Sequence, residues 1–119
     1  MPIQSFKELV VWQRSMELVE EIYRVTKQIP STEQYGLINQ MRRSAVSIPS
    51  NIAEGRKRGT RKDFVQFLRI ADGSAAELET QLLLAERLYS IKGVSVAGIK
   101  LIEVQKMLGA MIRKLVASS

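Results

Sequence analysis

One stretch leaves this chain few ways to fold. Phe64, Leu68, Ala71, Ala75, Leu78, Leu82, Ala85 and Tyr89 recur at steps of four and three over nearly four heptads. That is the period of a long helix with a single apolar stripe, and such a stripe is stable only when other helices cover it. A chain of 119 residues is long enough for one core and too short for two. A single domain over residues 1–119 is therefore expected, and the other segments must supply the covering helices.

They carry matching signals. Ser5 and Glu8 have the spacing of a capping box, so a first helix of about 23 residues is predicted from there to Pro30. Its buried stripe is read as Leu9, Trp12, Met16, Val19, Tyr23 and Thr26. Ser31 with Gln34 repeats the capping spacing and starts a second helix with the stripe Ile38, Met41, Ala45, Ile48 and Ile52. Pro49 lies inside that register and removes a backbone donor there. The apolar period continues in phase on both sides of it, so one helix kinked at Pro49 is expected rather than two. The second helix should end between Glu54 and Lys57, where GRKRGT gathers breakers and charge. Thr60 caps the third helix, and Lys92-Gly93 should close it. Ser95 then starts a fourth helix with Ala97, Leu101, Val104, Leu108, Met111 and Leu115 inside. Four helices, three short connections and no strand signal give an all-α, up-down-up-down four-helix bundle. Gly73, in the middle of the third helix, suggests either a close backbone approach or a merely tolerated glycine.

A second set of apolar residues falls off these stripes: Val10, Val11, Phe67, Ile70, Leu83, Leu84, Leu88, Ile99, Ile102 and Ile112. A wide core would absorb them, but assembly with further copies is the preferred explanation.

The formal net charge is +6, and +5 of it lies between Gly36 and Phe64. That stretch has seven bases, Arg42, Arg43, Arg56, Lys57, Arg58, Arg61 and Lys62, against Glu54 and Asp63. The rest of the chain is nearly neutral. Such crowding exceeds what solubility requires and suits phosphate contacts, whose affinity falls with salt through counterion release. Tyr35 and Phe64 flank the region but both fit the core, so stacking on single-stranded bases is not supported. A solvated, solubilising loop is the plainer alternative.

On the second helix, Arg43, Ser47, Ser50 and Glu54 fall opposite the buried stripe, with Asn51 and Gln40 slightly further round. An ordinary solvent face is the default reading of such a stripe; against it, small Ser and Asn side chains are poor choices for an exposed helix interior, which points to an assembly role for Arg43, Ser47, Ser50, Asn51 and Glu54. Arg43 and Glu54 are about 16 Å apart along one helix, so they would pair between subunits.

Catalysis finds little support. The chain has no cysteine and no histidine, which removes thiolate chemistry and the commonest general base and metal ligand. Glu77 and Glu79 diverge on a helix, and Glu17, Glu20 and Glu21 form a solvated face. No enzyme, cofactor or metal is expected. The N-terminus has no basic segment followed by an apolar one, and no run is long enough to span a membrane, so a cytoplasmic location is expected.

The segments FKELVVWQRSMELV (6–19), EQYGLINQMRRSAVSIPSNIAEG (33–55) and FVQFLRIADGSAAELETQL (64–82) closely resemble the bacterial four-helix-bundle family named for proteins encoded in intervening sequences of 23S rRNA genes, also labelled an S23 ribosomal protein family. The resemblance reaches to about Tyr89; the last helix matches only in character. It implies a homopentameric bundle, similar in fold to the basic accessory protein of diversity-generating retroelements, and leaves the molecular function unassigned. Residues and resemblance together lead to a homo-oligomer that binds nucleic acid, RNA favoured, through sequence-tolerant phosphate contacts. The seven bases above carry those contacts. The rival reading is a protein-interaction scaffold whose affinity for nucleic acid is incidental, and a weaker one is a bundle that binds a small molecule or metal.

Overall fold

The computed structural model describes residues 5–118. Among them each apolar period becomes an α-helix: α1 (Val10–Thr26), α2 (Asn39–Lys57), α3 (Arg61–Leu88) and α4 (Val94–Ala117), with no strand. α1 packs on α2 and α4, and α3 packs on the same two, so the helices form a square with α1 and α3 across one diagonal. The bundle measures 45 × 21 × 21 Å. The 28 residues of α3, about 42 Å at 1.5 Å per residue, span nearly its whole length.

The stripes of α2 and α3 are buried as the spacing predicts, from Met41, Ala45, Ile48 and Ile52 on one to Leu68, Ala71, Ala75, Leu78, Leu82 and Ala85 on the other. In α4, Ala97, Leu101, Val104 and Leu108 are buried, but the stripe ends on Ile112, with Met111 and Leu115 at its margin.

The stripe of α1 differs from expectation. Leu9 and Thr26 are buried as predicted, but between them the buried residues are Val11, Ser15, Leu18, Ile22 and Val25, a face turned by one residue, about 100°, from the one predicted. Met16 and Tyr23 are 41% and 39% exposed, and Trp12 and Val19 lie at the edge of the core. The cause is Ser15, whose hydroxyl donates to the carbonyl of Trp12 at 2.8 Å. A polar residue satisfied in this way can be buried at little cost, yet in sequence it interrupts the true stripe.

The helix boundaries also differ from expectation. Ser5 caps a 3₁₀ turn, Phe6–Glu8, by accepting from the Lys7 amide, and Leu9 is extended, so α1 begins only at Val10. A 3₁₀ turn at Ser31–Glu33 and a wide π turn at Gln34–Ile38 lead into α2. Within that π turn Gly36 leaves helical torsions, at φ −109°, ψ −113°, and α2 itself runs through the buried Pro49 as one helix. α3 ends at Leu88, and Gly93 (φ +87°) caps the start of α4 instead of closing α3. Ser95 is already inside α4.

Of the two readings of Gly73 the tolerated glycine holds, and the close approach lies at Gly55 instead. A Cβ on Gly73 would meet nothing within 4 Å, whereas one on Gly55 would lie 2.6 Å from Cβ of Phe67. Gly55 is thus the position at which α2 and α3 approach too closely for any side chain.

Candidate nucleic-acid interface

The up-down order brings three segments to one end of the bundle: the chain entering α1, the α2–α3 turn and the end of α4. This basic end holds Arg56, Lys57, Arg58, Arg61 and Lys62. Thr60 fixes the turn by accepting from the Asp63 amide at 3.1 Å, and Gly59, at φ +87°, makes the reversal. Arg58 pairs with Glu54 at 3.0 Å and lies over the Phe67 ring, 5.0 Å from its centroid. Arg61 donates to the Ser118 carbonyl at 2.8 Å, tying the start of α3 to the end of α4. Lys57 and Lys62 are exposed. A groove beside them is lined by Arg61, Lys62, Val65, Leu115 and Val116.

The same end gathers cations the sequence reading missed. Arg113 and Lys114, in the last turns of α4, and Lys7, just before α1, are all exposed there. Their distance along the chain hid them, and only the antiparallel order of the helices, once fixed, could have predicted them.

Arg42 and Arg43 do not join this cluster. They lie 13 residues before Arg56, counting from Arg43, about 20 Å along α2 and toward the opposite end. Nε of Arg42 donates to Oγ1 of Thr26 at 2.9 Å, and its guanidinium covers the Tyr23 ring at 4.4 Å. Arg43 is exposed and faces the groove lined by Tyr23, Gln34, Asn39, Arg42, Val46 and Ser47.

The polar residues of α2 also divide. Ser47 and Ser74 share a hydrogen bond of 2.8 Å across the α2–α3 seam, and Asn51 donates to both the carbonyl and the hydroxyl of Ser47. Ser47 and Asn51 therefore join two helices of one chain. Ser50 is exposed and donates to the Val46 carbonyl. Glu54 is exposed, with Arg58 of its own helix as partner.

Among the described residues no three His, Cys, Asp or Glu side chains gather where they could hold a metal ion. Nor is any helix among them long and apolar enough to cross a membrane.

Comparison with known proteins agrees with the helical architecture. Residues 7–110 match the family described as 23S rRNA-intervening sequence protein. No curated protein matches the chain. A crystal structure of a protein of unknown function from the S23 ribosomal protein family of Bacteroides thetaiotaomicron VPI-5482 is similar, with a TM-score of 0.77 and 30% sequence identity. The match covers 86% of this chain and 97% of that one.

Proposed function

The chain belongs to the 23S rRNA-intervening sequence protein family, and from that premise we propose that it assembles with copies of itself and binds nucleic acid, structured RNA in particular, through phosphate contacts at the basic end of the bundle. The observation that carries this reading is the gathering of exposed cations from three separate segments, Lys7, Lys57, Lys62, Arg113 and Lys114, around the Arg56–Arg61 turn. Of the acids on that turn, Glu54 is already paired with Arg58. Double-stranded RNA is recognised mainly by its shape and backbone, which suits such a surface. The Phe67 ring lies beneath Arg58 and is not offered to bases; Tyr35, expected in the core, is exposed, but it precedes α2 at the opposite end of the bundle. The cytoplasm is the compartment that fits this role, and no catalysis is part of it.

The assembly half rests on the apolar side chains left outside. Leu83 is 52% exposed, Ile102 48% and Ile99 69%, a strip that a monomer gains nothing by showing to water. A pentamer is the assembly that the family resemblance suggests, and it is the one proposed.

A salt series tests the first half. For wild type binding a duplex-containing RNA fragment, log K should fall linearly with log salt, by about 0.7–0.9 per phosphate contact. Replacing Lys57, Lys62 and Lys114 together with alanine should flatten that slope by about two. A flat wild-type response, or no change in the triple variant, would overturn the reading. Light scattering tests the second half: the expected mass is five times the 13.4 kDa chain, and a monomer at micromolar concentration would sink it.

A further inference from the structure

We infer that the Arg42–Arg43 groove seats the Glu79–Glu86 edge of a second copy of this chain, so that the two arginines serve assembly and not the polyanion surface. The inference rests on the assembly half of the proposed function and specifies its interface.

In the square bundle the α1–α2 side and the α3–α4 side face opposite ways. On the first, the groove holding Arg42 and Arg43, roughly 500 Å³, continues past Val46 into an apolar trough of Trp12, Met16, Val19, Pro49 and Ala53. No carboxylate lines either part. Arg42 is held in place by Thr26 and Tyr23, which leaves its terminal nitrogens without a hydrogen bond among the described residues, and Arg43 has no partner among them. Two fixed or exposed guanidiniums beside an uncovered apolar trough call for a partner that is both acidic and apolar.

The opposite side of the molecule has that character. Glu79 and Glu86 rim a groove floored by Leu82, Leu83, Val94, Leu101 and Ile102, and no cation lines it. Glu79 accepts one hydrogen bond from Gln105, at 3.0 Å, and neither carboxylate has an ion-pair partner among the described residues. The heights agree as well. The Ser47–Ser74 bond sets the antiparallel register of α2 and α3. Arg42 lies five residues before Ser47 and Glu79 five after Ser74, so arginine and carboxylate are level along the bundle axis. Copies standing side by side in the same direction would bring them together. An interface between two different faces is heterologous, and such contacts close into a ring when each copy is turned against the next by an angle that closes the circle, and run on as a filament when it is not.

A phosphate backbone would answer the arginines but leave the trough bare, whereas a protein edge covers both. This arrangement also supplies Arg43 with a partner other than the one its sequence suggested. Glu54 is paired with Arg58 at the far end of α2, and Glu79 takes its place.

Charge reversal tests the interface. Arg43→Glu and Glu79→Arg, each alone, should raise the concentration at which the assembly forms by tenfold or more, because each sets like charges against one another. The double variant, Arg43→Glu with Glu79→Arg in one chain, should restore assembly toward the wild-type midpoint, which mere damage to the fold would not do. Circular dichroism should show wild-type helix content in all three. If wild type is itself a monomer, the assembly reading falls and this inference with it. If wild type assembles and both single variants keep its mass, the inference alone is overturned. An Arg43→Glu variant that keeps its mass but loses RNA affinity would instead assign the arginines to the polyanion surface and overturn the inference.

Discussion

The two ends of the bundle are held together by different means. At the basic end one long-range polar bond, from Arg61 to the Ser118 carbonyl, ties α3 to α4, and the α2–α3 contact is steric: Gly55 lets α2 settle against Phe67 of α3, and Thr60 caps the turn. At the opposite end, polar bonds join residues far apart in sequence. Gln28 both donates to the carbonyl of Lys92 and accepts from its amide, at 2.7 and 2.8 Å, clamping the α1–α2 connection to the α3–α4 connection. Tyr89 donates to Glu33 at 2.8 Å, and Arg42 to Thr26. The difference suits the two functions proposed. An end secured by close packing and a cap leaves lysines free for a polyanion, while an end secured by hydrogen bonds holds Arg42 in a set position, as a recurring subunit contact requires.

The largest effect should come from breaking the steric end. Gly55→Ala places a Cβ 2.6 Å from that of Phe67, and neither atom can move without its helix. Destabilisation by about 2–3 kcal/mol is expected from overpacking, although alanine is the better helix former by about 1 kcal/mol. Gly73→Ala is the control. With nothing within 4 Å of its added Cβ, it should stabilise by about 0.5–1 kcal/mol. Urea unfolding of both variants decides the matter: opposite signs support the close approach at Gly55, and equal signs refute it.

A smaller effect should come from the polar end. Thr26→Val keeps the shape of a fully buried side chain but removes the acceptor for Arg42. A loss of about 1–2 kcal/mol is expected, the usual consequence of leaving one partly buried charged donor without its bond. If the inferred interface is correct, the same variant should also loosen assembly, since Arg42 would no longer be fixed over Tyr23. A variant as stable as wild type would show that the bond does not hold the arginine.

This contrast also explains what was legible in the sequence. The stripes of α2 and α3, the Thr60 cap and the basic turn are local patterns, set by spacing of three or four residues, and they appear where expected. The face of α1 was not legible, because two apolar sets one residue apart compete and buried Ser15 conceals the correct one. The bonds of Gln28 with Lys92 and Tyr89 with Glu33 span 64 and 56 residues. Periodicity carries no information at that range. The candidate site was half legible for the same reason: five cations lie together in sequence, while Lys7, Arg113 and Lys114 join them only through the fold.

The smallest effect, and the finest probe of the polar end, lies at Tyr89. Its phenol is raised above the ordinary value of 10.0, first by the hydrogen bond it donates to Glu33, then by burial, then by repulsion from the Glu33 carboxylate. Because the folded value exceeds the unfolded one, the neutral phenol favours folding. That contribution is present in full below the ordinary tyrosine value and disappears as pH rises through the raised value. Tyr89→Phe removes it at every pH. The melting temperature of wild type should therefore exceed that of the variant by a constant margin between about pH 7 and 9, and the margin should close above about pH 10. A margin that widens in alkali would mean that the ionised phenol is the stabilised form, which the adjoining carboxylate forbids if the Tyr89–Glu33 bond is what secures this end.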